Sequence, residues 1–363
     1  MREIKNSRYG IPYQGSKRAI AHKLLEQMLE KMPRAKYFVD LFGGGGAMSA
    51  CALENGLIVH YNELKPNLAD LFKLAVIEGI PKDWRRWISR EEFDRFKKED
   101  SVFGEFIRCV WSFGNKGGNY LFGKDKEGWK KAGHLFLTEL DQEGLKVFED
   151  RLGYPRSLKE ISKAFENLSL SERRSIWVNV ILKLEAMQVS GLYEKRPDLI
   201  DLDFEAIRSI KQSEIIALIN EYCPDVPKKL YKRNRELKEL KQLQQLQQLQ
   251  RLEQLQQLEQ LSPKISFSSL DFREVKVDTP ISETIIYCDP PYKGTTGYGK
   301  ESFDSDSFFE WCAKNEYNVF VSEYAEIENL HKVFEVKKRA LMDKNATHCV
   351  NEKLFFNKKT TLF

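Results

Sequence analysis

The sequence predicts an α/β protein with a doubly wound, mostly parallel sheet that is interrupted by a mostly helical module. Strand and helix patterns alternate near the start of the chain and again after the middle, whereas residues 81–235 are rich in charge, aromatic residues and helical periodicity. Such alternation is typical of sheets with helices on both faces. We therefore expect a discontinuous domain at 1–80 and 262–363, a module at 81–235 and an insert at 236–261.

The composition restricts the classes of protein to which the chain can belong. Its 363 residues are enough for two or three domains with a sizeable core. Because no apolar run approaches the roughly 18 residues that cross a bilayer, and no apolar signal segment begins the chain, we expect a soluble, cytoplasmic protein without a membrane partner. The net charge of +4 permits a polyanionic partner without requiring one. Six scattered cysteines and five unpaired histidines favour neither disulfides nor a metal site.

The amino-terminal elements follow a β-α-β order. Residues 14–32 repeat apolar positions at spacings of three and four, which predicts an amphipathic helix. The run at 37–42 predicts a strand that leads into four glycines, residues 43–46. A helix up to Gly56 and a second strand at 57–63 follow.

The glycine segment is a candidate ligand site. A bare backbone between a strand and a helix lets an adenosine-bearing ligand approach the helix amino terminus. Glu63 lies 17 residues after Gly46, at the end of the next strand, where a carboxylate can accept hydrogen bonds from ribose hydroxyls. The alternative is a tight turn that needs glycine for its backbone conformation. The glycines do not complete a G-x-G-x-x-G dinucleotide fingerprint, and the absence of a G-K-[ST] ending excludes a nucleoside triphosphate P-loop.

A low-complexity tract precedes the second group of strands. Between Leu237 and Leu261 a leucine recurs at every third residue. Three residues advance an α-helix by about 300°, so the leucines wind around the whole cylinder and no single face can be buried. We therefore expect residues 236–261 to form a largely helical insert, with a coiled coil as the alternative. Before it, residues 228–241 hold seven Lys or Arg against two Glu, a density suited either to phosphates or to a solvated helix face.

The α/β pattern resumes after this tract. The segment DSFFEWCAKN predicts a helix, and several short apolar runs predict strands: KISFSSLDF, TIIYCDPPY, EYNVFVSEY, HKVFEVKKRAL and EKLFFN.

The segment Tyr287–Tyr292 (YCDPPY) carries the strongest chemical signal. Two adjacent prolines cannot continue a strand's hydrogen-bond ladder, so the chain must turn out at the carboxyl edge of the sheet, where open α/β folds hold ligands. There, Asp289 and the Pro290 carbonyl can both accept hydrogen bonds from one amino group. Tyr292 can stack on a planar base, an interaction of about 1–3 kcal/mol. The alternative is a rigid structural turn with a buried tyrosine.

Together these segments resemble the Dam-like, alpha-group DNA adenine methyltransferases, which use S-adenosylmethionine (AdoMet). Segment PYQGSK resembles their first AdoMet-contacting motif, FVDLFGGGG their F-x-G-x-G motif, and CDPPY their amino-methylation motif. The resemblance implies a Rossmann-like AdoMet methyltransferase sheet. It assigns catalysis to Asp289, Pro290, Pro291 and Tyr292, and AdoMet binding to Tyr13, Lys17, Phe42, Gly44, Gly46, Glu63, Asp271, Phe272 and Asp289. Tyr13 and Glu63 stand where the family more often has tryptophan and aspartate.

The implied reaction is methyl transfer from AdoMet to the exocyclic N6 of adenine, after the base has been flipped out of double-stranded DNA. No metal is implied. Residues 81–235 would recognise the target, and FGNKGG resembles a loop ahead of the family's recognition helices. Candidate DNA contacts there are Arg85, Arg86, Lys116, Lys124, Lys130, Trp111 and Trp129. We expect a monomer, and a cognate restriction endonuclease is a partner that the resemblance allows.

Three other functions stay open at this point. Methylation of the exocyclic amino group of cytosine uses a similar motif, although serine is common at the position of Asp289. A DNA-binding regulator could retain the fold without turnover. A dinucleotide-dependent oxidoreductase is disfavoured by the glycine spacing and by the CDPPY segment.

Overall fold

The computed structural model describes residues 4–6, 8–13, 15–115, 117–153, 155–224, 246–261, 264–292, 303–339 and 349–358. The chain divides into two compact units. The sheet unit comprises Met1–Ile80, Phe96–Cys109 and Gln254–Phe363, and the helical unit comprises Pro81–Arg95 and Val110–Glu253.

The sheet unit is built around one mixed sheet. Within the described residues its strands are β1 Tyr37–Asp40, β2 Ile58–Asn62, β3 Ile265–Ser268, β4 Thr284–Cys288, β5 Asn318–Glu323, β6 His331–Arg339 and β7 Cys349–Phe356. The order is β3-β2-β1-β4-β5-β7-β6; the first five strands are parallel, and β7 is antiparallel to both of its neighbours. The predicted α/β class and Rossmann-like sheet are confirmed.

The strand order places a crevice at the carboxyl ends of β1 and β4. The chain runs outward from β1 to β3 and then returns to β4, so the two central strands have their connections on opposite sides. Open α/β sheets bind ligands at such a switch point. Both the glycine segment after β1 and the CDPPY segment after β4 leave the sheet there.

The helices predicted at 14–32 and up to Gly56 are present with shorter bounds, and the helix predicted at 306–315 begins one residue earlier. Among the residues that the structure describes, the α-helices in chain order are α1 Ala21–Lys31, α2 Ala47–Glu54, α3 Pro66–Ile77, α4 Arg90–Phe96, α5 Val102–Trp111, α6 Lys124–Glu139, α7 Gln142–Leu152, α8 Arg156–Phe165, α9 Leu170–Ser190, α10 Leu192–Lys195, α11 Phe204–Ser209, α12 Gln212–Tyr222, α13 Gln247–Leu258 and α14 Ser305–Lys314. Within the described ranges, none of these helices combines the length and the apolarity that crossing a membrane requires.

One face of the sheet packs on α14. Alternating residues of the parallel strands, among them Val39, Ile286 and Val321, are buried with Phe308 and Cys312 of α14 in one apolar cluster. Fully burying such side chains contributes about 1.5–3 kcal/mol each, which holds the strand ends in a fixed register. That register fixes where the residues after β1 and β4 emerge.

The leucine tract differs from the expected insert. Residues 247–258 are helical and the leucines do wind around the helix, but Leu246 and every leucine of α13 are at most 2% exposed. The interpretation of an insert without a buried face is therefore wrong for residues 246–261. Arg251 donates to the carbonyls of Val110 and Ser112, and Arg174 forms a bidentate pair with Glu253. Burial around most of the circumference stabilises a helix that no single apolar stripe could hold.

Residues 96–109 belong to the sheet unit, whereas their composition groups them with the module at 81–235. Asn67, just inside α3, donates a hydrogen bond to Asp100. Arg108 donates to the carbonyls of Lys97 and Glu99 and thereby closes this segment on itself. Residues 254–261, the second half of the leucine tract, also belong to this unit.

Candidate active site

The amino-terminal segment is bound to the glycine turn. The amide of Ile11 donates to the carbonyl of Gly45 at 2.7 Å. A Cβ on Gly45 would lie 2.7 Å from the Ile11 carbonyl oxygen, so only glycine fits this approach. The contact places Tyr13 beside Gly44, whose φ is +50° and whose missing Cβ would meet the Tyr13 ring at 3.5 Å.

Gly46 begins helix α2 in the left-handed region, with φ of +69°. A Cβ there would come within 2.2 Å of the Phe72 ring, which α3 packs against the turn. Gly46 is thus required both by its backbone conformation and by the close packing of α3.

Glu63 lies beside the same turn, as the sequence predicts. Its Oε2 accepts from the amide of Gly44 at 2.8 Å, and its Oε1 accepts from the amide of Lys65 at 3.0 Å. Burial raises the pKa of Glu63, although these two amide hydrogen bonds oppose the shift. The Lys65 ammonium reaches the Tyr13 hydroxyl at 3.4 Å, so the three predicted residues Tyr13, Gly44 and Glu63 form one group.

The aromatic residues predicted for the cofactor lie together on the other side of β1. The rings of Phe42 and Phe272 are 5.6 Å apart, and both meet Phe308 edge to face. Asp271, in contrast, pairs with the exposed Arg273 at 2.7 Å, and this pair lowers the pKa of the Asp271 carboxyl.

Lys17 and the residues after β4 form the centre of the site. The Lys17 ammonium lies 2.7 Å from each carboxylate oxygen of Asp289 and 2.6 Å from the Tyr292 hydroxyl. Burial by itself would lower the pKa of Lys17, but the carboxylates of Asp289 and Glu352 raise it above its ordinary value. The lysine therefore stays charged. Pro290 and Pro291 lie between Asp289 and Tyr292 and hold the chain in the turn.

Glu352 and Tyr324 belong to this cluster and were missed in the sequence. Glu352, on β7, has a side chain with no exposed surface; it accepts a short hydrogen bond from the Tyr292 hydroxyl and lies 3.5 Å from the Lys17 ammonium. The Tyr324 ring, at the end of β5, packs edge to face on Tyr292 at 4.3 Å between centroids. The alternation of Glu352, Leu354 and Phe356 along β7 is the signal that could have revealed a buried acid.

Cys288 and Asp40 occupy the ends of the two central strands. Burial raises the pKa of the Cys288 thiol well above its ordinary value, so this side chain is a neutral strand residue and not a nucleophile. Burial also raises the pKa of Asp40 to about 7, even though the Ser49 hydroxyl donates to its carboxylate at 2.7 Å.

The predicted DNA contacts in the helical unit divide into two groups. Trp111 is fully buried and Lys130 is 2% exposed. The prediction is wrong for these two residues, because they lie against the aromatic rings of Trp87 and Phe122 inside the unit. Lys116 and residues 228–241 lie outside the described residues. The remaining candidates keep partial or full exposure: Arg85, Arg86, Lys124 and Trp129.

Within the part of the chain that the structure describes, no group of three or more His, Cys, Asp or Glu side chains is placed to hold a metal ion.

The sequence also matches a model of a known protein family. A family model described as D12 class N6 adenine-specific DNA methyltransferase matches residues 13–110 and 203–346, which is more than half of the chain. The two matched stretches contain every catalytic and AdoMet-binding residue predicted from the sequence, whereas Glu352 lies beyond them. No curated protein matches the sequence.

Proposed function

The chain belongs to the D12 class N6 adenine-specific DNA methyltransferase family, and on that premise we propose which of its residues perform the methylation of adenine N6 in DNA. Membership favours adenine over the cytosine alternative. It also implies AdoMet as the methyl donor. The roles of individual residues, the flipping of the base and the recognition of a particular sequence are our proposals.

The glycine turn fits an adenosine-bearing donor. Gly44 presents bare backbone beside the Tyr13 ring, and the nearby Glu63 carboxylate is held by two backbone amides. We assign Glu63 to the ribose hydroxyls, Tyr13 and Lys17 to the donor's amino-acid end, and Phe42 with Phe272 to the flat adenine surface. When bound, AdoMet supplies an electrophilic methyl group on a positively charged sulfur.

Asp289 and the Pro290 carbonyl are assigned to the amino group of the target adenine. The lone pair of that nitrogen is delocalised into the ring, so the amino group is a poor nucleophile until both hydrogens are held. The Lys17 ammonium, 2.7 Å from the Asp289 carboxylate, holds that acceptor in position at the end of β4. The Asp289 side chain is 21% exposed, which leaves room for a ligand to approach.

Tyr292 is assigned to stacking on the flipped base. Its hydroxyl contacts Lys17 and Glu352, and Tyr324 packs against its ring, so the ring plane is fixed before any base arrives. Stacking returns part of the few kcal/mol that unstacking the base from duplex DNA costs. Holding the two reactants in orientation can then lower the barrier by about 7–11 kcal/mol.

A single observation carries this assignment: the direct contact of Lys17 with Asp289 and Tyr292. These residues are 272 and 275 positions apart in the chain and come from the two motifs that the sequence assigns to donor and acceptor. Their contact supports a site in which the residues proposed for the methyl donor lie next to the residues proposed for the target base.

The test is methylation of unmethylated, mixed-sequence double-stranded DNA with AdoMet, read by mass spectrometry of the digested nucleosides. We expect N6-methyladenine from the wild-type protein and none from Asp289→Ala, because the amino group loses its acceptor. Asp278→Ala removes an exposed carboxylate of the same unit and should leave methylation unchanged. A methylation rate of Asp289→Ala within a few-fold of the wild-type rate would contradict the assignment of Asp289 to the target amino group.

We assign target recognition to the helical unit, since the FGNKGG segment and the exposed basic residues Arg86 and Lys124 lie there. Mapping the methylated positions in the same experiment would give the recognition sequence. The monomeric state and a cognate restriction endonuclease stay predictions.

A further inference from the structure

Glu352 brings a second carboxylate to the centre of the site. Strand β7 runs antiparallel beside β5, and this pairing carries Glu352 to the residues that follow β4. Its Oε1 accepts from the Tyr292 hydroxyl, while its Oε2 is buried and has no hydrogen-bond partner among the residues that the structure describes. A buried carboxylate oxygen without a partner is costly, so its retention calls for an explanation.

Among the residues that the structure describes, the formal charges of the cluster do not balance. Lys17 brings one ammonium group, whereas Asp289 and Glu352 bring two carboxylates. The side chains of Lys17 and Glu352 are 5% and 0% exposed, so water screens the surplus negative charge only weakly. Asp40, on the neighbouring strand, is another carboxyl group and supplies no compensating cation.

We propose that the surplus charge of Glu352 makes the site recognise the positive charge of the methyl donor, and so favours AdoMet over its neutral, demethylated product. This inference rests on the proposed function. AdoMet and S-adenosylhomocysteine (AdoHcy) share the adenosine, amino and carboxylate groups and differ in the methyl group and the sulfonium charge. Transfer of the methyl group removes that charge from the sulfur, so the attraction to Glu352 ends when the reaction is complete.

The test measures binding in the absence of DNA. Dissociation constants of the wild-type protein and of Glu352→Gln are measured by calorimetry for AdoMet, AdoHcy and sinefungin, an analogue with a protonated amine in place of the methylated sulfur. Glutamine retains the size of the side chain and an acceptor for the Tyr292 hydroxyl, but it removes the charge. We expect Glu352→Gln to lower affinity for AdoMet and sinefungin by about tenfold relative to AdoHcy.

Tyr292→Phe is the matched control. It removes the hydrogen bond to Glu352 and leaves the carboxylate in place, so the AdoMet to AdoHcy affinity ratio should stay at the wild-type value. A ratio that changes in Tyr292→Phe as much as in Glu352→Gln would contradict the proposal, because the hydrogen bond and not the charge would then be responsible.

The variants also distinguish the loss of the Glu352 charge from a loss of folding. Binding of AdoHcy reports whether Glu352→Gln is folded, and Glu352→Met removes the charge without burying an amide, which is often tolerated at such positions. Equal loss of all three ligands, an unchanged ratio, or failure of both Glu352 variants to fold would overturn the inference. Failure of the wild-type protein to bind any of the ligands would instead overturn the proposed function.

Discussion

Two buried lysines, one in each unit, are perturbed in opposite directions. Lys17 of the sheet unit lies against the carboxylates of Asp289 and Glu352, which raise its pKa despite its burial. Lys130 of the helical unit lies over the Phe122 ring, and burial lowers its pKa to about 7. Both residues are at most 4% exposed. Burial by itself therefore does not identify a functional lysine; the charges around it do.

The aromatic residues repeat this contrast. In the sheet unit, Tyr292 and Phe42 are only partly buried and flank the positions assigned to the base and the donor. In the helical unit, Trp87, Trp111 and Phe122 are buried and pack on one another. Rings with one open face can take up a ligand, whereas rings enclosed on all sides stabilise the unit through about 0.5–1.5 kcal/mol per favourable pair.

The largest effect is expected at Gly46, because this glycine of the sheet unit is tightly enclosed whereas a glycine of the helical unit has open space around it. Gly46→Ala places a Cβ within 2.2 Å of the Phe72 ring at a φ of +69°, so α2 and the glycine turn must shift. We expect methyl transfer to fall by at least about 100-fold and the protein to lose about 2 kcal/mol of stability. A methyl-transfer assay accompanied by AdoMet binding measures the first effect, and thermal unfolding measures the second.

The control for that variant is Gly128→Ala in the helical unit. A Cβ at Gly128 would meet no atom within 4 Å, so AdoMet binding and stability should not fall below those of the wild type. Equal losses in both variants would show that the glycine turn of the sheet unit has no special requirement.

A smaller effect is expected at Lys130. Its folded pKa of about 7 lies below the ordinary value of 10.5, so the unfolded chain binds more protons between these values and stability rises with pH from about 7 to 10. Lys130→Met should remove this slope and stabilise the protein by about 3 kcal/mol at pH 7. Methyl transfer should be unchanged. Urea unfolding at several pH values measures the slope, and equal slopes in the wild type and Lys130→Met would show that Lys130 does not cause it.

The sequence predicts the sheet well because strand ends and glycine or proline turns are local signals. Asp289 directly follows β4, whereas Lys17 lies in the segment before α1, so their contact depends on where that segment packs and not on strand order alone. Glu352 was missed because its position depends on the antiparallel pairing of β5 with β7, and because its hydrogen-bond partner Tyr292 is 60 positions away in the chain. A charged residue within an apolar run is predicted to be exposed to solvent unless the neighbouring strand is known.

The leucine tract and Lys130 were misjudged for a related reason. The spacing of three correctly predicts that the leucines wind around a helix, but only the structure around α13 decides whether all of them are buried. Likewise, the charge of Lys130 suggests exposure, whereas the aromatic cluster around it encloses the side chain. Periodicity describes one element, and burial depends on what packs against it.

The smallest effect, with the opposite dependence on pH, is expected at Asp40 of the sheet unit. Its folded pKa of about 7 lies above the ordinary value of 3.8, so the folded protein binds more protons, and stability falls as pH rises from about 4 to 7. Asp40→Asn can keep an acceptor for the Ser49 hydroxyl and cannot ionise. We expect it to exceed the wild type in stability by about 2 kcal/mol above pH 8 and to approach it at pH 4. Wild-type and Asp40→Asn stability curves that run parallel from pH 4 to 9 would rule out ionisation of Asp40 as a cause. The pH dependence of wild-type stability would then come from groups other than this carboxyl. The opposite pH effects assigned to Asp40 and Lys130 would no longer hold for Asp40.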